Sequence, residues 1–189
     1  MKYPRIWIAA HGGPMEAARN PETPPGILAV LANDNWPVQL EVVDNPSTPP
    51  EVLEQLVEVL RTLSRDEDWE IRREVAMRLK TPVDVLRTLA ADERFEVRFE
   101  VAESSNAPAD VLARLAGDES SSVRRSVAFN KHTPVDVLER LANDEDFLVR
   151  EVVAKNPNTP VSRLRILSMD WKLAVGVAAR KTLREKGLE

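Results

Sequence analysis

The sequence predicts an all-α solenoid of about six repeats, each a helix followed by a shorter helix, with capping ends. Three observations carry this. Residues 92–112 (DERFEVRFEVAESSNAPADVL), 118–138 (DESSSVRRSVAFNKHTPVDVL) and 144–164 (DEDFLVREVVAKNPNTPVSRL) repeat one pattern 26 residues apart. A Thr-Pro pair recurs at Thr23, Thr48, Thr81, Thr133 and Thr159, with Ala107-Pro108 filling the gap, in steps of 25, 33, 26, 26 and 26 residues. Apolar residues follow each pair at helical spacing, so the repeat search sets the architecture.

The elements of one repeat follow in order. Thr is a good N-cap and Pro suits the first helical position, so each pair is expected to open a helix. Glu51, Asp84 and Asp136 stand three residues after their Thr, an approximate capping box. Ala107 lacks the hydroxyl, which predicts a weaker start there. Val137, Leu138, Leu141 and Ala142, and likewise Val111, Leu112, Leu115 and Ala116, lie 4, 5, 8 and 9 residues after the opening position. That spacing marks one face of a helix of about ten residues. An Asp then comes at offset 11 (Asp92, Asp118, Asp144 and Asp170) and is placed to cap a second, shorter helix. Val97-Arg98, Val123-Arg124 and Val149-Arg150 follow, and a small apolar pair such as Val153-Ala154 ends the helix. A polar tail turns the chain into the next Thr-Pro. One such unit cannot bury its apolar stripe alone, whereas a stack can.

Departures from the pattern are where tuning is expected. In the repeat from Thr48 the Asp, Asp66, arrives at offset 18 rather than 11. The seven extra residues, near 57–65, predict a first helix about 10 Å longer, with Leu56, Leu60 and Leu63 continuing its stripe. Its end at Arg61 and Arg65 is a candidate docking ridge. Gln39 replaces Arg in the first unit and Gly176 does so in the last. The single repeat domain over 1–189 therefore reads as an N-terminal cap at 1–17, repeats over 18–168 and a C-terminal cap at 169–189. Trp7 and Ile8 are expected to close the first core layer, with HGGP as a turn.

Composition narrows the function. The chain of 189 residues is 43% hydrophobic and 30% charged, enough apolar material for a core. It has no Cys, which excludes a thiol nucleophile, disulfides and Cys-bound metal, and two His, which excludes a His-rich site. No catalytic residue, metal ligand or cofactor is expected. Ser126, Asp118 and His132 recur as ordinary repeat positions rather than a triad. The N-terminal apolar run is too short for a signal peptide and no stretch approaches a membrane span, so a cytoplasmic protein with no membrane partner is expected. Net charge is −5, distributed as −5 over 1–60, −5 over 61–154 and +5 over 155–189. The acidic balance argues against nucleic acid as partner.

Two residue columns bear on mechanism. The Asp column (Asp66, Asp92, Asp118, Asp144) and the Arg column (Arg72, Arg98, Arg124, Arg150) keep a constant spacing of six. Matched counts predict a structural ladder; the competing reading is a phosphate-binding row. Trp69, Phe95 and Phe147 form an aromatic column, expected to be a packing spine rather than a stacking platform for bases.

These residues resemble the variant leucine-rich repeat (LRV) family, whose pattern is close to NPxTPxxxLxxLAxDxxxxVRxxVA. NPNTP at 156–160, VDVLERLANDEDFLVREVVA at 135–154 and VDVLRTLAADERFEVRFEVA at 83–102 carry the likeness, which extends over roughly 18–180 and is shared in part with HEAT-type helical repeats. The resemblance implies a right-handed superhelix of alternating α and 3-10 or short α helices. The iron–sulfur Cys cluster of some members is lacking. The expected function is a non-enzymatic scaffold for an unidentified protein partner, contacted through Arg73, Phe99, Arg125 and Glu151 beside the Val-Arg pairs, with Arg61 and Arg65 second. The alternative is nucleic-acid binding through the Arg column and the basic C-terminal segment. Head-to-tail self-association is a further possibility, given opposite charges at the two ends.

Overall fold

A computed structural model describes residues 3–188, and these hold fourteen α-helices and no strand. The chain divides into two compact units, Met1–Val85 and Leu86–Glu189. Contacts in a repeat array are local, so a unit boundary can fall wherever the regular pitch is interrupted; here it follows the 33-residue step.

In the first unit the helices are α1 (Tyr3–Ala10), α2 (Pro14–Arg19), α3 (Pro25–Leu31), α4 (Trp36–Asp44), α5 (Pro50–Leu63) and α6 (Trp69–Ala76). Helix α7 (Val83–Leu89) spans the boundary. The second unit continues with α8 (Phe95–Glu103), α9 (Ala109–Leu115), α10 (Ser121–Phe129), α11 (Val135–Leu141), α12 (Phe147–Lys155), α13 (Val161–Leu167) and α14 (Leu173–Glu185). Here the second helices α8, α10, α12 and α14 stack in succession, and α9, α11 and α13 pack on the second helices before and after them. In the first unit α2 stacks on α4 in the same way.

The core is built from the apolar columns read in the sequence. Val111, Leu112, Leu115, Val137, Leu138, Leu141, Leu164 and Leu167 are buried, as are Val97, Val123, Val149 and Val175. Each such side chain contributes about 1.5–3 kcal/mol on burial.

Helix lengths reverse the expectation. Regular first helices have 7 residues and regular second helices 9, and all are α-helical. The cause is the role of Thr-Pro. Pro, not Thr, occupies the N-cap, with extended backbone at Pro49, Pro108, Pro134 and Pro160, and no side-chain cap bond forms. The Thr is buried one position earlier. Its hydroxyl donates back six residues to the preceding second helix: Thr23 to the Ala17 carbonyl at 2.5 Å, Thr48 to Val42 at 2.6 Å, Thr81 to Val75 at 2.6 Å, Thr133 to Val127 at 2.5 Å and Thr159 to Val153 at 2.6 Å. Thr therefore closes the end of one helix, while Pro opens the next. At Ala107 that hydroxyl is lacking, and α9 still has the 7-residue length of α11.

The extension is as long as the sequence implied. Helix α5 has 14 residues against 7, and Val52, Leu56, Leu60 and Leu63 form its buried stripe. The N-terminal segment departs from expectation. Helix α2 is a repeat second helix rather than part of a cap: Ala17 and Ala18 are fully buried at the small apolar pair and accept the Thr23 and Asn45 bonds. Trp7 and Ile8 are only half-buried, and Trp7 stacks on His11 with ring centroids 3.7 Å apart. HGGP does turn, with φ of 85° at Gly12 and 96° at Gly13, a conformation that favours glycine.

Candidate partner-docking surface

Up to three polar ties position a second helix, and these decide which side chains remain outward. The column Asp sits two residues before the N-cap and accepts the N-cap amide: Asp118 from Ser120, and Asp144 from Asp146, both at 2.9 Å. It forms this turn rather than capping directly. The same carboxylate receives a bidentate Arg from the preceding repeat. Arg98 donates to Asp118 at 2.6 and 2.9 Å, Arg124 to Asp144 at 2.7 and 2.9 Å and Arg150 to Asp170 at 2.7 and 3.1 Å. Each of these Arg side chains also donates back within its own repeat: Arg98 to the Asp92 carbonyl, Arg124 to Asp118 and Arg150 to Asp144. In the first unit Arg72 donates to the Asp66 and Glu67 carbonyls.

The electrostatics follow. Arg98, Arg124 and Arg150 are held above the ordinary Arg value, chiefly by hydrogen bonds to Asp118, Asp144 and Asp170. Asp170 is lowered, first by its Arg150 bonds. For Asp118 burial is the largest influence and pushes upward, but Arg98, the Ser120 amide and nearby charge together leave it lowered.

The third tie was not read from the sequence. Asn130 Nδ2 donates to the Ala102 and Ser104 carbonyls at 2.8 and 2.9 Å, and Asn156 repeats this to Ala128 and Asn130 at 2.8 and 3.2 Å. Asn45 does the same to Ala18 and Asn20. The signal was present as an Asn three residues before Thr48, Thr133 and Thr159. Where Arg78 takes that place, Asp44 accepts from the Leu79 amide at 3.0 Å and from Arg78, and burial raises its pKa despite that cation.

With these columns engaged, the outward surface of the second helices carries what varies. Phe99 and Arg125 meet there. They line a groove of about 240 Å³ with Glu103, Ser126, Phe129 and Val152. A second cavity of about 370 Å³ shares Phe129 and Val152 and continues to Lys131, Lys155 and Pro157. Phe129 is the residue that sequence reasoning missed. It is 64% exposed, at a position held by Asp44, Met77, Glu103 and Lys155 in other repeats. Glu151 is half-buried beside Val152 and pairs with Lys155 at 2.6 Å. Arg73 is half-buried, and Arg73, Arg61 and Arg65 belong to the first unit rather than to this groove. Arg61 is paired with Glu58 and, at 2.9 Å, with Asp84, while Arg65 is exposed. The aromatic column is not a buried spine: Phe95 is exposed, and Trp69 and Phe147 are half-buried. Among the described residues no cluster of metal-ligating side chains occurs, and no helix is long and apolar enough to cross a membrane.

The leucine rich repeat variant family model matches residues 122–146, which run from the start of α10 through the column residue Asp144. A solved leucine-rich repeat variant with a novel repetitive structural motif is 27% identical, with a TM-score of 0.56 over 90% of this chain. Residues 122–146 therefore match one leucine rich repeat variant unit. This chain spans 65% of that protein's length. The Escherichia coli protein YibA is similar in fold alone, at 18% identity and a TM-score of 0.58 over 92% of this chain and 73% of that one. No curated protein matches. The array is thus a helical repeat scaffold, and Arg-Asp and Asn ties link successive repeats over the apolar core.

Proposed function

We propose that this chain is a non-catalytic scaffold that docks a protein partner on the outward face of α8, α10 and α12. The observation that supports it is Phe129, a large aromatic side chain standing 64% exposed between two grooves at a position that carries no aromatic residue in the other repeats. Aromatic residues and Arg are the usual anchors of protein interfaces, and Phe99, Phe129 and Arg125 lie together there. An exposed Phe adds little to the stability of the free fold, whereas covered by a partner it contributes to binding. The nucleic-acid reading draws less support. The Arg98, Arg124 and Arg150 guanidiniums are occupied by carboxylates and carbonyls, which a phosphate would have to displace.

The test is affinity capture with the intact chain and with the Phe129→Ser/Arg125→Ala variant, each with and without nuclease. The expected result is a protein retained by the parent chain through nuclease treatment and lost with the variant, at an unchanged Tm. Equal retention by both, or retention that nuclease removes, would contradict the proposal.

A further inference from the structure

The repeat from Thr159 carries an outer face unlike the others. Met169, Trp171 and Leu173 lie within five residues and are 79%, 77% and 75% exposed. Trp171 stands where earlier repeats have Glu67, Glu93, Glu119 and Glu145, and Met169 where they have Ala91, Gly117 and Asn143. At these two positions this repeat thus turns an apolar face outward where the earlier repeats carry Glu or small residues. The face is also not prepared for another repeat of the same kind. The ladder Arg is replaced by Gly176, and Arg180 reaches across to donate to the Ser168 carbonyl at 2.6 Å. A Cβ at Gly176 would lie 3.2 Å from that carbonyl and 3.3 Å from the Arg180 guanidinium, so an Arg there would be crowded. Cations surround the indole instead: Lys172 Nζ lies 4.3 Å from the Trp171 ring and the Arg150 guanidinium 5.8 Å.

The first unit holds a matching surface. An open groove of about 640 Å³ is lined by Ile8 and Ala9 of α1, Pro14 of α2 and Val30 of α3. Val30 is 45% exposed. The α3–α4 turn closes one side with Asp34 and Asn35, and Arg5 is the cation of the lining. Within the lining Asp34 offers a counterpart to Lys172, and the wider segments are opposite in charge, −5 over residues 1–60 and +5 over residues 155–189.

We propose that the occupant of this groove is a second copy of the chain, whose Met169–Trp171–Leu173 face enters it with Lys172 toward Asp34. The contact is heterologous, each copy offering one knob and one groove, so it propagates into open chains unless the rotation closes. Opposite net charges make it weaken with salt. It is separate from the α8–α12 docking face, and Phe129→Ser leaves it unchanged.

Sedimentation velocity over a concentration series, at low and high salt, tests it with Trp171→Glu and Val30→Glu, both exposed positions. The parent chain is expected to self-associate, more strongly at low salt. Each variant alone should associate at least about tenfold more weakly. The two variants mixed should form a one-to-one dimer and stop there, because one intact knob still meets one intact groove. A parent chain that stays monomeric at all concentrations overturns the proposal. So does a mixture that stays monomeric, and so does a Val30→Glu variant that associates alone as strongly as the parent, which would mark the Trp171 face as pairing with itself. Binding to anionic phosphatidylglycerol vesicles that Trp171→Glu abolishes, without self-association, overturns it in favour of a lipid occupant.

Discussion

Arg124 shows how one side chain joins two repeats. Its guanidinium bonds the Asp144 carboxylate of the next repeat and the Asp118 and Glu119 carbonyls of its own, and both Arg124 and Asp144 are almost fully buried. Truncation leaves a buried carboxylate without its cation. Arg124→Ala is expected to cost about 3 kcal/mol and lower Tm by roughly 6–12 °C, read by calorimetry. The ladder also sets the response to acid. Asp118 and Asp170 have folded-state pKa values below their ordinary ones. Their contribution is therefore complete above the unfolded value near 3.9 and is lost as pH falls through the lowered values. Tm should be flat between about pH 5 and 7 and fall below about pH 4. Asp170→Asn should lower Tm at pH 7 and flatten the acid limb, so that the two curves converge near pH 2. The Arg and Asp columns were legible because both partners recur at fixed spacing. The Asn tie was not, because its acceptors are backbone carbonyls, which no side-chain pattern records.

At the scale of the element, the Thr-Pro pair divides its work between two helices. A capping rule assigns Thr to the helix that follows, yet its hydroxyl bonds the helix that precedes. Sequence supplies the residue type, and the backbone direction decides which helix end lies in reach. Thr133→Val should therefore cost about 1 kcal/mol by losing a buried hydrogen bond. The natural exception allows the converse: Ala107 is buried at the equivalent position, so Ala107→Thr is expected to stabilise by up to about 1 kcal/mol. Chemical denaturation of the pair checks both signs. The longer α5 was readable because seven residues return the stripe to the same face, from Val52 through Leu63. Helix α2 was missed as a repeat because it lacks Thr-Pro before it and carries Ala17-Ala18 where later repeats mostly carry Val-Ala.

For the whole molecule, periodicity revealed the repeat and its core, and the docking surface emerged from what periodicity does not constrain. Phe99 and Arg125 could be picked out as variable neighbours of the Val-Arg pairs. Phe129 could not, since an apolar residue next to Val127-Ala128 reads as more core until its exposure is seen. The scaffold reading therefore rests on that one side chain more than on any other. The most direct measurement places a photo-crosslinking amino acid at position 129 and, as a control, at Glu119, which is exposed on the turn before α10 and outside both grooves. The account predicts a discrete protein adduct from position 129 and none from position 119. Adducts of equal yield from both positions, or none from position 129 while a partner is bound, would contradict it.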